Sequence, residues 1–211
     1  MRIAVIGAGN VGGTLGRRWA QLGHEVRFGV RDPSRGAAAV KGGDALPGGA
    51  TVVTPVEAAD GADVVVLATP WGAVPDAIRE LGAAVEGAVL VDATNPLGPN
   101  LALDVGPGGE SGAERVQALA PRARVVKAFN TTGFNNMADP VYGGEPTVMF
   151  YAGDDAEAKS AARALVSALG FDAVDAGPLA RARDLEHLAV LWISLAVGGL
   201  GRDIAFKLAR R

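Results

Sequence analysis

The sequence predicts a doubly wound α/β fold: a mainly parallel sheet with helices on both faces and a small helical C-terminal extension. Three observations predict it. Short apolar runs alternate with stretches of helical periodicity along almost all of the 211 residues, as in successive β–α–β units. Residues 63–68, Asp-Val-Val-Val-Leu-Ala, and 88–92 are near-continuous apolar runs, which is how strands buried on both faces of a parallel sheet read. A glycine pattern, Gly7-Ala8-Gly9-Asn10-Val11-Gly12-Gly13, stands between the first apolar run and the first helical run.

That first unit carries the most information. Residues 2–6 are the first strand, and residues 10–22 form a helix with Val11, Leu15, Trp19 and Leu22 along one face. Trp19 is expected in the core. Gly7 lets the chain reverse after the strand, Gly9 leaves room for a pyrophosphate at the backbone, and Gly12 lets the helix pack closely on the sheet. The first helical amides, from Asn10 and Val11 onward, have no intrahelical partners and face a bound anion, and the helix dipole adds attraction. This is a dinucleotide site in its proper strand–turn–helix context.

The second strand, residues 24–30, addresses which dinucleotide. Sites for NAD place Asp or Glu at its end, on the ribose 2′-hydroxyl. Here the end is Gly29-Val30-Arg31, with Ser34 and Arg35 just beyond. A guanidinium can grip a 2′-phosphate bidentately and stack on adenine, so NADP(H) is favoured. Asp32 either caps the turn before Pro33 or is a displaced ribose ligand. Arg35 and Lys41 are either solvated charge or cofactor contacts.

The remaining elements follow in order. Residues 37–50 read as a short helix then a loop, and 51–53 as a short strand. Thr54-Pro55-Val56-Glu57 fits a capping box with proline at the first helical position. The buried strand 63–68 ends on Thr69-Pro70-Trp71 and leads through Val74 into a helix to about residue 84. The strand 88–92 ends on Asp92-Ala93-Thr94-Asn95-Pro96-Leu97, and the Gly- and Pro-rich stretch 98–109 is a long loop of the kind that binds or covers ligands. Ser111-Gly112-Ala113-Glu114 opens another capped helix to residue 119. Strands at 124–129, 146–152 and 171–175 and a helix at 155–169 come next. Residues 179–211 form a long helical segment loosened near Gly198-Gly199 and Gly201.

Composition excludes several classes. The net charge is −3 and there is no cysteine. Nucleic acid and acidic membranes are not expected partners, and disulfides, thiolate catalysis and cysteine-held metals are excluded. Two histidines, His24 and His187, do not suggest a metal site. The first residues already read as strand, so no signal peptide is expected and a cytoplasmic protein is. Residues 188–201 are apolar but short of the about 20 that a membrane span needs. A buried helix is expected there, between protomers or over a second ligand.

Ligands of doubly wound sheets lie at the carboxyl ends of the strands. Those ends carry the glycine turn, Arg31, Thr69-Pro70-Trp71, Asn95 and Asn130-Thr131-Thr132. Thr69, Pro70 and Trp71 either run past the adenosine or ribose or simply start a helix with Trp71 packed on the surface. Asn95 either bonds a flat ligand or sets the turn before Pro96. Asn130 is either a ligand contact or a helix cap. A ketone reductase needs a proton donor beside the hydride acceptor. Lys127 is the best candidate, and a stabilising strand-end role is the competing reading. Tyr142, Tyr151 and His187 are weaker. With no convincing acid–base pair, exchange between two redox cofactors fits best, because positioning two flat rings then suffices.

The runs Ile6–Gly16, Leu22-Gly23-His24-Glu25-Val26 and Arg31-Asp32-Pro33 resemble those of coenzyme F420-dependent NADP oxidoreductases. So do Thr69-Pro70-Trp71, residues 92–97 and Val126-Lys127-Ala128-Phe129-Asn130-Thr131. The resemblance implies an NADP-binding Rossmann domain over 1–178, a helical extension over 179–211 at the acceptor site and dimer contact, and a homodimer. It implies hydride transfer between NADP(H) and F420. It further implies that Gly9, Asn10, Val11, Gly12, Arg31 and Arg35 hold NADP, that Thr69, Val74 and Asn95 line its later path, and that Phe134 or Asn135 neighbours the nicotinamide. Thr131, His187 and Trp192 complete the candidate acceptor side. The family often has serine where Val30 stands here, and the stretch 133–137 also departs from it, which leaves the acceptor open: F420, or a flavin such as FMN. Reduction of a small imine or carbonyl, with Lys127 or a tyrosine as donor, is a second reading. A non-catalytic NADPH-binding or sensing module is a third.

Overall fold

Eight strands form one sheet in the computed structural model, which describes residues 1–43, 45–104 and 106–211. The predicted loops 37–50 and 98–109 include Asp44 and Val105, which lie outside the described residues. The strands are β1 (Arg2–Ile6), β2 (Glu25–Gly29), β3 (Thr51–Val53), β4 (Val64–Leu67), β5 (Val89–Asp92), β6 (Arg124–Lys127), β9 (Val148–Gly153) and β10 (Asp172–Asp175). A separate hairpin pairs β7 (Val141–Tyr142) with β8 (Glu145–Pro146). From one edge the sheet runs β3-β2-β1-β4-β5-β6 in parallel; β9 then pairs antiparallel to β6, and β10 parallel to β9. This is the Rossmann order. The chain winds outward in opposite directions from β1, so a crevice opens between the β1 and β4 ends.

Alternation along each central strand feeds two cores. Ile3, Val5, Val64 and Val66 face one layer, with Leu15 and Trp19 of α1 (Asn10–Gln21) and Leu165 and Val166 of α6 (Ala156–Ala168). Ala4, Ile6, Val65 and Leu67 face the other, with α2 (Pro55–Ala59), α3 (Val74–Leu81) and α4 (Gly112–Leu119). Trp19 is in the core as expected. It meets Phe129 edge-on at 5.5 Å and donates its indole N–H to the Leu165 carbonyl at 3.2 Å. Both predicted capping boxes form, Thr54 with Glu57 and Ser111 with Glu114.

The C-terminal half departs from expectation in three places. β6 stops at Lys127 because Phe129 adopts φ 62°, a left-handed conformation unusual for a side chain of this size. Residues 134–145, to which the sequence assigns no element, form the short helix α5 (Phe134–Ala138) and, with Pro146, the hairpin. The predicted long terminal helix is α7 (Ala182–Leu195) plus one wider turn, Ala196–Leu200. Gly199 and Gly201, at φ 118° and 72°, end it. The tail beyond is non-helical and strapped down. Its Ile204 carbonyl accepts from Trp192 Nε1 at 2.8 Å, its Phe206 carbonyl accepts from the Val148 amide at 3.0 Å, and Arg210 pairs with Asp172 at 3.1 Å. The apolar stretch 188–201 is not buried within one chain, with Leu191, Val197 and Leu200 exposed at 50%, 72% and 63%. No helix among the described residues is long and apolar enough to cross a membrane.

Candidate functional site

The glycine turn is built as its spacing requires. Gly7 sits at φ 95° and donates its amide to the Gly29 carbonyl at 3.1 Å. A Cβ on Gly12 would lie 1.9 Å from the Gly7 carbonyl oxygen, so the helix can approach the strand only without one. Around a Cβ on Gly9 nothing stands within 4 Å. The cradle is therefore open where a phosphate would lie. The α1 N-terminus is left without a side-chain cap or an acidic residue in its first turn, so its amides at Asn10 and Val11 keep their affinity for an anion. Arg17, which the sequence does not single out, is buried and donates to the Val40, Lys41, Gly43 and Ala45 carbonyls. It clamps the loop after β2 against α1. A Cβ on Gly13 would meet the Lys41 carbonyl oxygen at 2.6 Å. Arg17 lies on the side of α1 opposite Leu15 and Trp19, so the apolar period does not point to it.

At the end of β2, Arg31 is exposed and makes no hydrogen bond or ion pair among the described residues. Ser34 Oγ donates to Asp32 Oδ1 at 2.5 Å. The Asp32 carboxylate thus accepts a hydroxyl of its own turn and makes no side-chain cap to the backbone that follows Pro33. Arg35 reaches the Ala38 carbonyl of the same turn at 3.5 Å.

At the end of β4 the candidates separate. Thr69 Oγ1 is buried without a partner, and Pro70 is exposed. Trp71 turns away: its indole N–H donates to Asp104 Oδ2 at 2.7 Å, and the Arg115 guanidinium stacks over its ring at 4.9 Å. The indole is thus packed between Asp104 and Arg115 of α4, as in the surface-packed alternative for Trp71. Val74 is corrected. Its side chain is fully buried in the core beneath α3, because it faces the sheet at the first helical position.

At the β5 and β6 ends two amides clasp. Asn95 Nδ2 donates to the Asn130 carbonyl at 3.0 Å, and Asn130 Nδ2 donates to Asn95 Oδ1 at 3.1 Å and to the Leu185 carbonyl of α7 at 3.0 Å. Asn130 Oδ1 is left without a partner.

Below this pair lies a sealed charge network. Lys127 is fully buried, and Nζ contacts Asp92 Oδ2 at 2.9 Å, the Thr94 carbonyl at 2.7 Å and Glu186 Oε1 at 3.0 Å. All three ammonium donors are used. Burial works against the charge, and the Asp92 and Glu186 carboxylates outweigh it, holding Lys127 above its ordinary range. Its candidacy as a proton donor is corrected to the strand-end role. Asp92 Oδ1 also accepts from the Thr94 amide and hydroxyl at 2.9 and 2.7 Å. Glu186 accepts from the Gly112 and Ala113 amides at 3.0 and 3.3 Å, capping α4 from a distant helix. The sequence assigns no role to either Glu186 or Asp92; the traces were a carboxylate closing a buried strand at Asp92 and one just before an apolar helical run at Glu186.

The acceptor-side candidates also divide. Phe134 is half-buried beneath the Arg202 guanidinium at 5.6 Å. Asn135 Nδ2 donates to the Arg202 carbonyl at 2.9 Å and to Asp203 Oδ1 at 3.0 Å, and its Oδ1 is unpartnered. Thr131 is corrected: it is buried, with its hydroxyl toward Met149 Sδ at 3.8 Å. His187 lies exposed on α7, its Nδ1 2.8 Å from the Arg183 carbonyl, so it joins no crevice contact. Trp192 is a structural post, buried and bonded to the tail, and a Cβ on Gly133 would lie 2.6 Å from its ring.

Among the described residues the buried side-chain atoms without a partner are Arg18 Nε, Thr69 Oγ1, Asn130 Oδ1 and Asn135 Oδ1, and the last three belong to candidate ligand residues. A family model for coenzyme F420-dependent NADP oxidoreductases matches residues 2–96. The F420-dependent NADP reductase of Methanothermobacter marburgensis is 30% identical over 225 aligned residues, covering 99% of this chain and 98% of that protein. The chain belongs to the F420-dependent NADP oxidoreductase family. A crystal structure from Arthrobacter sp. FB24, provisionally named an F420-dependent NADP-reductase, is 35% identical with a TM-score of 0.86 and full coverage of both chains. The rat metalloreductase STEAP3 (Rattus norvegicus) is 29% identical over 89% of this chain, which spans 36% of that protein's length. As a member of the F420-dependent NADP oxidoreductase family, the chain is an NADP-linked oxidoreductase. The open Gly9 cradle, the uncapped helix and the orphaned polar atoms fit a dinucleotide.

Proposed function

We propose that the protein transfers hydride between NADP(H) and a flat redox acceptor, coenzyme F420 in the first instance and a flavin such as FMN next. The observation that carries this reading is the sealed state of the proton donors. Lys127 has its three donors engaged. Tyr142 donates to Asn136 Oδ1 at 2.6 Å, Tyr151 is buried in the core, and His187 is on the outer face of α7. A carbonyl or imine reductase needs a donor at the crevice; a ring-to-ring exchange needs alignment, the hydride passing between the rings while the reduced acceptor's ring nitrogen takes its proton from water.

In this reading the backbone of Gly7, Gly9 and Gly12 and the amides of Asn10 and Val11 bind the pyrophosphate. Arg31 takes the 2′-phosphate, with Ser34 and Arg35 shaping the turn beside it. Thr69 and Pro70 flank the ribose path, and Asn95 and Asn130 orient the ring end. NADP(H), when bound, supplies or receives the hydride. Phe134 and Asn135 hold the acceptor face, and residues 179–211 close it from the side of α7. Exposed Leu191, Val197 and Leu200 support a homodimer. A cytoplasmic location belongs to the same reading.

The test is to mix the protein with NADPH and, separately, F420, FMN and a panel of imines, and to follow NADPH oxidation. Turnover confined to F420 is expected. Turnover on imines alone would replace this reading with the reductase of small substrates. Tight NADPH binding with no turnover would leave a sensing module.

A further inference from the structure

The Asn130 amide is oriented by two acceptors. Its Nδ2 meets Asn95 Oδ1 at 3.1 Å and the Leu185 carbonyl at 3.0 Å. Flipping the amide would set Oδ1 against two oxygens, so the orientation is fixed by electrostatics. Each acceptor adjoins a residue held by the sealed charge network. Thr94, before Asn95, is bonded at its carbonyl by Lys127 and at its amide and hydroxyl by Asp92. Glu186, after Leu185, is bonded by Lys127 and by the Gly112 and Ala113 amides. Lys127 itself connects to Asn130 through Phe129, whose φ of 62° turns the chain out of the strand.

The network therefore converges on one unpartnered atom, Asn130 Oδ1, in a side chain 3% exposed. A buried carbonyl oxygen without a donor carries a desolvation cost, which a ligand N–H would remove. Two carboxylates on one ammonium are also an unusual choice for stability alone, since apolar replacement of buried ion pairs is often neutral or stabilising.

We propose that Lys127 and Glu186 are positioning residues that hold the Asn95–Asn130 clasp, so that Asn130 Oδ1 accepts a hydrogen bond from an amide N–H at the nicotinamide end of the dinucleotide. The proposal rests on the NADP(H) reading above and goes beyond it by naming the device that sets the ring end. It also gives α7 a direct hand in the crevice: Leu185 supplies an acceptor and Glu186 locks it.

Calorimetric titration separates the two ideas, using NADPH and 2′,5′-ADP, which carries the 2′-phosphate but no nicotinamide. Wild-type protein that binds neither ligand would remove the NADP(H) reading and the inference with it. With both bound by wild type, Glu186→Gln is expected to weaken NADPH about tenfold, the worth of one buried hydrogen bond, and to leave 2′,5′-ADP unchanged. Should that variant not fold, the charge-free D92N/K127M/E186Q is expected to fold and to give the same ring-end loss. Asn130→Ala, which leaves the charges whole, is expected to match it, and in the Glu186→Gln background to add little. Equal affinity of folded Glu186→Gln and wild type for NADPH overturns the inference. So does an unaltered NADPH affinity in Asn130→Ala, or a parallel loss of both ligands.

Discussion

Arg31 stands alone at the end of β2, exposed and unpaired among the described residues. In the proposed reading that exposed guanidinium takes the 2′-phosphate, whereas a carboxylate there would repel the phosphate and bond a free ribose. Arg31→Glu is expected to lower the NADPH-over-NADH preference in kcat/KM by about 10- to 100-fold, the worth of one to two charge-assisted bonds. An unchanged preference would take the 2′-phosphate away from Arg31. The glycines of the turn separate binding from folding. Gly9→Ala meets open space at backbone angles any residue adopts. It should keep the melting temperature of wild type while weakening NADPH. Gly12→Ala places a methyl 1.9 Å from a carbonyl oxygen. It should lower the melting temperature and abolish binding together. Residue identities made this turn and Arg31 legible. They did not make Trp71, Val74 or Lys127 legible, because the type of a long side chain does not say what meets it. Trp71 found Asp104 and Arg115, and Lys127 found Glu186 from a helix far along the chain.

Elements defined by local rules were read correctly. The capping boxes at Thr54 and Ser111 form because donor and acceptor lie three residues apart on one turn. The α4 box carries an added tie: Glu114 Oε2 accepts from the Ser111 amide at 2.8 Å and from Arg183 Nε of α7 at 3.2 Å. Burial pushes the Glu114 carboxyl up, but the Ser111 amide and the Arg183 guanidinium outweigh it and hold it below its ordinary 4.5. A carboxylate depressed by folding adds stability above its unfolded value, and that contribution is lost as pH falls through the folded one. Glu114→Gln should therefore be less stable than wild type at pH 7, by about 1 kcal/mol for a weakened cap. The gap should close as the pH drops below about 4, and thermal melts across pH would show it. A gap constant with pH would place the loss in packing instead. Elements whose ends depend on backbone conformation were read less well. β6 ends early at the left-handed Phe129, and the terminal helix ends at Gly199 and Gly201 with the tail strapped to β9 and α7.

At the scale of the molecule, the strand order sets the crevice, and the α7 face is the surface the proposed homodimer would cover. Leu191 and Val197 are exposed in one chain, on an apolar stretch that a soluble protein seldom leaves bare. The protein is expected to be a dimer by light scattering, and Leu191→Asp with Val197→Asp a monomer that still binds 2′,5′-ADP. A monomeric wild type would remove the homodimer. Tertiary placement also explains why proton chemistry recedes: the strand-end lysine that looked like a donor is spent on two carboxylates.

The sequence by itself determined the doubly wound class, the dinucleotide turn, the NADP-leaning end of β2 and the family. The first three are local signals, carried by apolar period, glycine spacing and neighbours within one turn, and the family rests on the resemblance of whole motifs. Only the tertiary structure decided that Lys127 is sealed, that Asn130 keeps one unpartnered oxygen, and that α7 bonds Asn130 and Lys127 through Leu185 and Glu186. Those facts depend on contacts between residues far apart in the chain, and a buried charge or amide takes its role from the partners that packing brings to it.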